Sequence, residues 1–190
     1  MRLPFAAFAL SMLAAPALAG DIGAEKLFGQ DTGNRPAHAC FSKIFDAAWL
    51  KAHPDQNIEK LTVYVGRKAM EEAVWYTGNM DIKFRDSKEA WRVSAECSGE
   101  GASLHCGVDC DGGGFVMTAI SKSQLSVAPD DYLRYYNATD AGEAEPKENT
   151  VGFKSGDKNL TLDRTDIQDC LPLIDDEGVK AGIIRGAVTQ

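Results

Sequence analysis

Histidine is scarce in this chain: three among 190 residues, His38, His53 and His105. None belongs to a metalloprotease or nucleophile motif, so hydrolysis of those kinds has no anchor in the sequence. Basic residues are outnumbered, 20 against 28 acidic, for a formal net charge of −8. Such a chain is poorly suited to nucleic acid or to anionic lipid surfaces. It has no Cys-x-x-Cys pair of the kind that carries a low-pKa redox thiol. The glycine run Gly112-Gly113-Gly114 leads into Phe115-Val116-Met117, a strand pattern, whereas a phosphate loop opens a helix. Internal repeats, low-complexity tracts and cofactor motifs are lacking too. After the N-terminal stretch no apolar run approaches the length of a membrane span.

What is present begins with that stretch, MRLPFAAFALSMLAAPALAG. One basic residue (Arg2), an apolar run from Phe5 to Ala15 and the small-x-small site Ala17-Leu18-Ala19 have the form of a secretory signal cleaved after Ala19. This predicts a periplasmic or secreted protein without a membrane span after cleavage. No cysteine follows the cut, so a lipid anchor is not expected. The remainder has the length of one domain.

Five cysteines in an exported chain predict two disulfides and one free thiol. Three of them lie around a turn whose register can be assigned. Pairing outward from a two-residue loop at Gly101-Ala102 sets Trp91, Val93, Ala95 and Cys97 opposite Gly112, Cys110, Val108 and Cys106 on an apolar face. Arg92, Ser94 and Glu96 fall opposite Asp111, Asp109 and Gly107 on a polar one, as a half-buried hairpin requires. Glycine at the first loop position suits a type II′ turn. Cys97 and Cys106 are then predicted to bridge the strands, and Cys40–Cys170 to close a long loop, stabilising by roughly 4–5 kcal/mol. Cys110, opposite Val93, is expected to be a buried free thiol, and Arg92 to pair with Asp111. Cys97–Cys110 with Cys106 free is the competing arrangement.

Residues 20–39 show little periodicity and read as an extended leader. Phe41, Ile44, Phe45, Ala48 and Trp49 then follow helical spacing, predicting a helix over about 41–52 that stops before Pro54. From Gln56 the period becomes two: Leu61, Val63 and Val65; Ile82 and Phe84; the hairpin; Phe115 to Ile120; Leu125 and Val127; Leu133 and Tyr135; Val151 and Phe153; Leu160 and Leu162. The breakers are Thr77-Gly78-Asn79, Asp86-Ser87-Lys88, Pro129-Asp130-Asp131 and Ser155-Gly156-Asp157. Eight or nine short strands predict an all-β domain over 40–172 with one short N-terminal helix. The strands form an antiparallel up-and-down meander, closed into a barrel of lipocalin-like size in preference to a sandwich. Residues Asn137 to Thr150 read as an exposed loop, and 173–190 as a tail or edge strand.

His105, Cys106, Asp109, Cys110 and Asp111 are the densest set of candidate ligands, fit in type for zinc or copper. The hairpin register turns His105 and both aspartates away from the cysteines, which favours a disulfide plus surface charge. The adjacent pairs Glu71-Glu72 and Asp175-Asp176 read as solvated charge. A barrel of this size can hold a small apolar ligand, with Trp75, Trp91 and Tyr135 as candidate cavity residues, although the same aromatics can fill a solid core. The expected function is an exported, non-catalytic β-barrel without cofactor, binding a small apolar ligand or another periplasmic protein. The alternatives are a solid-core structural or stress-protective protein, and a metal-binding protein using the His105–Asp111 cluster.

Overall fold

The computed structural model describes residues 22–70, 73–100, 102–137 and 148–186. The signal segment, Glu71-Glu72, the Gly101 turn position, and most of the Asn137–Thr150 loop lie outside the described residues. One antiparallel sheet of nine strands dominates: β1 (Ala37–Ile44), β2 (Ile58–Ala69), β3 (Val74–Phe84), β4 (Ala90–Glu100), β5 (Ser103–Gly107), β6 (Gly113–Ser121), β7 (Gln124–Asn137), β8 (Glu148–Gly152) and β9 (Leu160–Thr165). β1 to β7 pair sequentially, as a meander does. β9 then lies between β7 and β1, so that eight of the nine strands close a ring with β8 outside it.

Alternation decides which residues enter the ring. Phe41, Val63, Val93, Met117, Leu125 and Leu162 have no exposed surface and fill the interior together with Met80, Ile82 and Phe115. At roughly 1.5–3 kcal/mol per fully buried side chain, this packed interior is the main source of stability.

The predicted hairpin register holds at its turn: Cys97 faces Cys106, Ser98 faces His105 and Gly99 faces Leu104. Both predicted disulfides form, Cys97–Cys106 and Cys40–Cys170. Beyond Gly107 the register is lost, because β5 ends there and residues 108–112 turn away. Cys110 and Asp111 sit at positive φ (54° and 61°), a conformation that interrupts strand alternation. Cys110 is the free cysteine, but it is exposed, not buried opposite Val93. Arg92 pairs across β3 with Asp81 in a two-pronged ion pair (2.9 and 2.8 Å), not with Asp111. Gly113, at φ 81°, turns the chain into β6, and a Cβ there would stand 2.1 Å from the Tyr132 carbonyl oxygen.

Other expectations need correction. The helix over 41–52 shrinks to α2 (Ala47–Ala52), capped by Asp46 and ended at His53. Phe41 belongs to β1, and Ile44 at that strand's end is exposed. The supposed leader contains α1 (Ile22–Phe28), which lays Ala24, Leu27 and Phe28 into the main core, and then the first three residues of β1. Arg164 of β9 fixes α1 in place, stacking 4.6 Å over Phe41 and donating to the Leu27 carbonyl at 2.8 Å. Thr77-Gly78-Asn79 is not a turn but the middle of β3. Gly78 is there because a Cβ would meet the Cys97 and Cys106 sulfurs at 2.9 and 3.2 Å. Pro129-Asp130-Asp131 likewise marks an irregularity inside β7, where the pairing jumps from Phe115–Pro129 to Gly113–Leu133. The C-terminal stretch is neither tail nor edge strand. A 3-10 segment (Ile167–Leu173) and α3 (Glu177–Ile184) cover the outer face of β1 and β2, burying Cys40, Tyr64, Ile167, Cys170, Leu173, Ile174 and Ile183 in a second core.

Candidate functional site

That C-terminal cover creates the site. Its outward-facing floor is alternation's other half: His38 on β1, Tyr64 and Gly66 on β2, Thr77 and Asn79 on β3, Ser94 and Glu96 on β4. The 3-10 segment descends onto this floor where Cys170 bridges Cys40, and Ile174 to Val179 form a wall. The groove between wall and floor has a volume of about 590 Å³.

The wall is held by polar contacts. Asn79 donates from Nδ2 to the Leu173 carbonyl (2.8 Å) and to Asp175 Oδ2 (3.1 Å). Asp176 caps α3, its Oδ1 accepting from the Val179 amide at 3.0 Å. Beneath, His38 Nδ1 and the Tyr64 hydroxyl share a hydrogen bond of 2.8 Å with their rings nearly parallel. Burial lowers the His38 pKa, against the charge of Asp176. Burial raises that of Tyr64, reinforced by Asp176 and Asp175. Both groups are therefore held neutral. Gly66 makes this pair possible: a Cβ there would lie 2.7 Å from the Tyr64 hydroxyl oxygen.

The other end of the groove, toward the β2–β3 tip, is apolar and open. Met70, Val74 and Trp75 are exposed there, Trp75 by 51%. Arg67, on the inward face of β2 between Ala37 and Tyr76, borders this end and is only 5% exposed. Its Nη1 donates to the Arg35 carbonyl at 2.7 Å, while its Nε is buried with no partner among the described residues.

The sequence-predicted cavity residues do not come together. Trp91 packs edge-on against Tyr135 (4.7 Å) and donates its indole N–H to Ser87, closing part of the main core. Trp75 stands apart on the outer groove. The predicted ligand cluster is dispersed as well: Cys106 is in its disulfide, while His105, Asp109, Cys110 and Asp111 are exposed. Arg134 donates to the carbonyls of Asp109 (3.2 Å) and Cys110 (2.6 Å) and braces that turn. Among the described residues no three His, Cys, Asp or Glu side chains converge as a metal site. No helix there is long and apolar enough to cross a membrane.

A second hollow of about 880 Å³ lies between α2 and residues 155–163. Its aromatic pair, Trp49 and His53, stacks at 3.9 Å, and the Trp49 N–H is taken by Gln56. Its polar side chains thus serve the local fold. No protein-family model, curated protein or solved structure matches this chain.

Sequence reasoning missed His38, Tyr64, Arg67 and Asn79. One signal was available. Arg67 continues the inward series Leu61, Val63, Val65, and a charge in such a series asks for a partner.

Proposed function

We propose that the protein is an exported, non-catalytic binding module: a closed and filled β-barrel that takes a small apolar ligand in its outer groove, not in its interior. The observation that carries this reading is the groove itself. It combines an exposed tryptophan and methionine at its mouth with buried polar groups along its floor, the composition of a small-molecule site. Among the described residues, the side chains Phe41, Val63, Val93, Met117, Leu125 and Leu162 at the centre of the ring have no exposed surface, which supports a filled interior. Two disulfides fit an oxidising, exported location, and the N-terminal signal pattern favours the periplasm. The His38–Tyr64 pair, whose Nδ1 and hydroxyl hydrogen-bond to each other, is suited to positioning a ligand.

A titration with N-phenyl-1-naphthylamine, an uncharged apolar fluorophore, tests the reading. The expected result is saturable one-to-one binding, lost in Thr77→Trp, whose side chain occupies the groove floor without entering the core. No binding, or binding unchanged by that substitution, refutes it. The exposed cluster Met70, Val74 and Trp75 favours a second reading, contact with another periplasmic protein at the β2–β3 tip.

A further inference from the structure

The groove is charged unevenly along its length. Tyr64, Asn79 and Ser94 form its inner rung under the wall, Gly66, Thr77 and Glu96 the next, and Lys68 and Trp75 the outermost. Two residues along a strand set successive rungs about 7 Å apart. Asp175 and Asp176 stand on the wall at the inner end, where Asp175 accepts from Asn79, and Glu96 and Asp109 line the side formed by β4 and the turn after β5. Elsewhere on this protein surface carboxylates take a lysine, as Glu25, Glu59, Asp131, Asp163 and Glu177 do. The four in the groove form no ion pair among the described residues. Arg92, also on β4, is already held at both prongs by Asp81. Lys68 lies at the mouth, and Arg67 is turned to the inward face of β2. The internal segments 71–72 and 138–147, outside the described residues, carry five acidic residues and one lysine, so their charge is negative on balance.

The floor beneath the acids brings no cation either. His38 and Tyr64 are each 5% exposed and, as described above, uncharged. His38 lines the groove with its Nδ1 taken by Tyr64 and its Nε2 without a hydrogen-bond partner among the described residues. A neutral imidazole keeps one ring nitrogen as an acceptor. The inner end is thus a set of acceptors and negative charges, and the outer end the apolar surface of Trp75 and Met70.

Resting on the groove as the binding site, we propose that its ligand is an apolar cation, an amine with its ammonium at the inner end among Asp175, Asp176 and Glu96 and its apolar body against Trp75 and Met70. The ammonium supplies the positive charge that these carboxylates lack. With Nδ1–H of His38 donating to the Tyr64 oxygen, Nε2 accepts from the ammonium. The same carboxylates repel an anion, and Lys68 at the mouth sets the direction in which the cation points inward.

Displacement of bound N-phenyl-1-naphthylamine from the mature protein by three probes of similar shape tests this: 2-naphthylmethylammonium, 2-naphthamide and 2-naphthoate, at neutral pH and low salt. The ammonium compound is expected to displace the fluorophore at about tenfold lower concentration than the amide, a modest factor because water screens exposed carboxylates. Naphthoate is the weakest. Asp175→Asn combined with Asp176→Asn cuts the preference for the ammonium to about twofold or less. Asparagine keeps the cap of α3 and an oxygen for Asn79, so the wall is retained. Asp55→Asn combined with Asp86→Asn, the same change of net charge at exposed positions outside the groove, leaves the preference as it was. Equal displacement by ammonium and amide, tighter binding of naphthoate than of the amide, or a preference that survives the wall variant overturns the proposal. So does a preference lost equally in the control, which assigns it to the charge of the whole chain. If the wall variant does not fold, Glu96→Gln across the groove takes its place, and a preference it leaves undiminished overturns the proposal. The fluorophore separates the two claims. If it binds and the probes displace it equally, the cation assignment fails and the groove stands. If it does not bind, the groove reading fails and takes the assignment with it.

Discussion

Replacing both Cys40 and Cys170 by alanine removes the bond that fastens the C-terminal cover to the sheet. The bridged residues are 130 apart in sequence, so loop closure in the unfolded chain gives the bond a stabilisation of about 5 kcal/mol. The hairpin bridge Cys97–Cys106, with a separation of 9, comes to about 2.6 kcal/mol by the same relation. At about 2–4 °C per kcal/mol for a domain of this size, the first deletion lowers the melting temperature by roughly 10–20 °C and the second by roughly 5–10 °C. Cys40 and Cys170 are fully buried in the second core, so packing losses add to the larger figure. Thermal melts of both double variants and the wild type, followed by circular dichroism in the same buffer, measure the difference. Loss of Cys97–Cys106 costing as much as loss of Cys40–Cys170 would refute the reasoning that the long bridge holds the cover and its groove in place.

Three further outcomes are expected. Asp157 is 1% exposed and its carboxylate accepts from the Asn57 and Ile58 amides at 2.9 and 3.0 Å, so Asp157→Ala leaves buried donors unpaired. Urea unfolding should show a loss of about 2–4 kcal/mol, and a loss near zero counts against this anchor for β2. Cys97→Ser should lower the melting temperature by several degrees while Cys110→Ser leaves it within about a degree, since Cys110 is exposed and unbridged; equal shifts contradict the bridge assignment. His38, with its pKa lowered by burial, is neutral in the native state. Its contribution to stability is therefore complete above pH 6.5, the unperturbed value, and is lost as the pH falls below it toward the lowered native one. Stability measured across that range should decline on acidification and decline less in His38→Gln; identical slopes would show that His38 does not titrate on unfolding.

The parts of the fold that alternation can express were legible. β2, β6, the start of β7 and β9 follow period two because one side packs inside the ring. Cys97 and Cys106 could be paired because a short turn sets the register nearby. The errors arise where another constraint overrides the pattern. Phe41, Ile44 and Phe45 satisfy helical spacing by coincidence, while pairing with β2 and β9 makes the segment a strand. Gly78 resembles a turn residue and is instead the space needed by a disulfide two strands wide. Two non-glycine residues at positive φ break the hairpin beyond Gly107, and nothing in their identity announces it. The groove was hidden for a different reason. Its floor comes from the polar half of strands whose apolar half carried the prediction, and its wall from a C-terminal stretch with mixed character. His38 lay in a segment with no visible periodicity at all.

The claim that a ligand binds outside the ring and not within it is tested most directly by amide chemical-shift mapping. Isotope-labelled mature protein is titrated with N-phenyl-1-naphthylamine. Shifts centred on Gly66, Trp75, Thr77, Asn79 and Val179, with little change at Val63, Val93 and Leu125, are the predicted result. Shifts centred on those interior residues, or no saturable shifts, would contradict it.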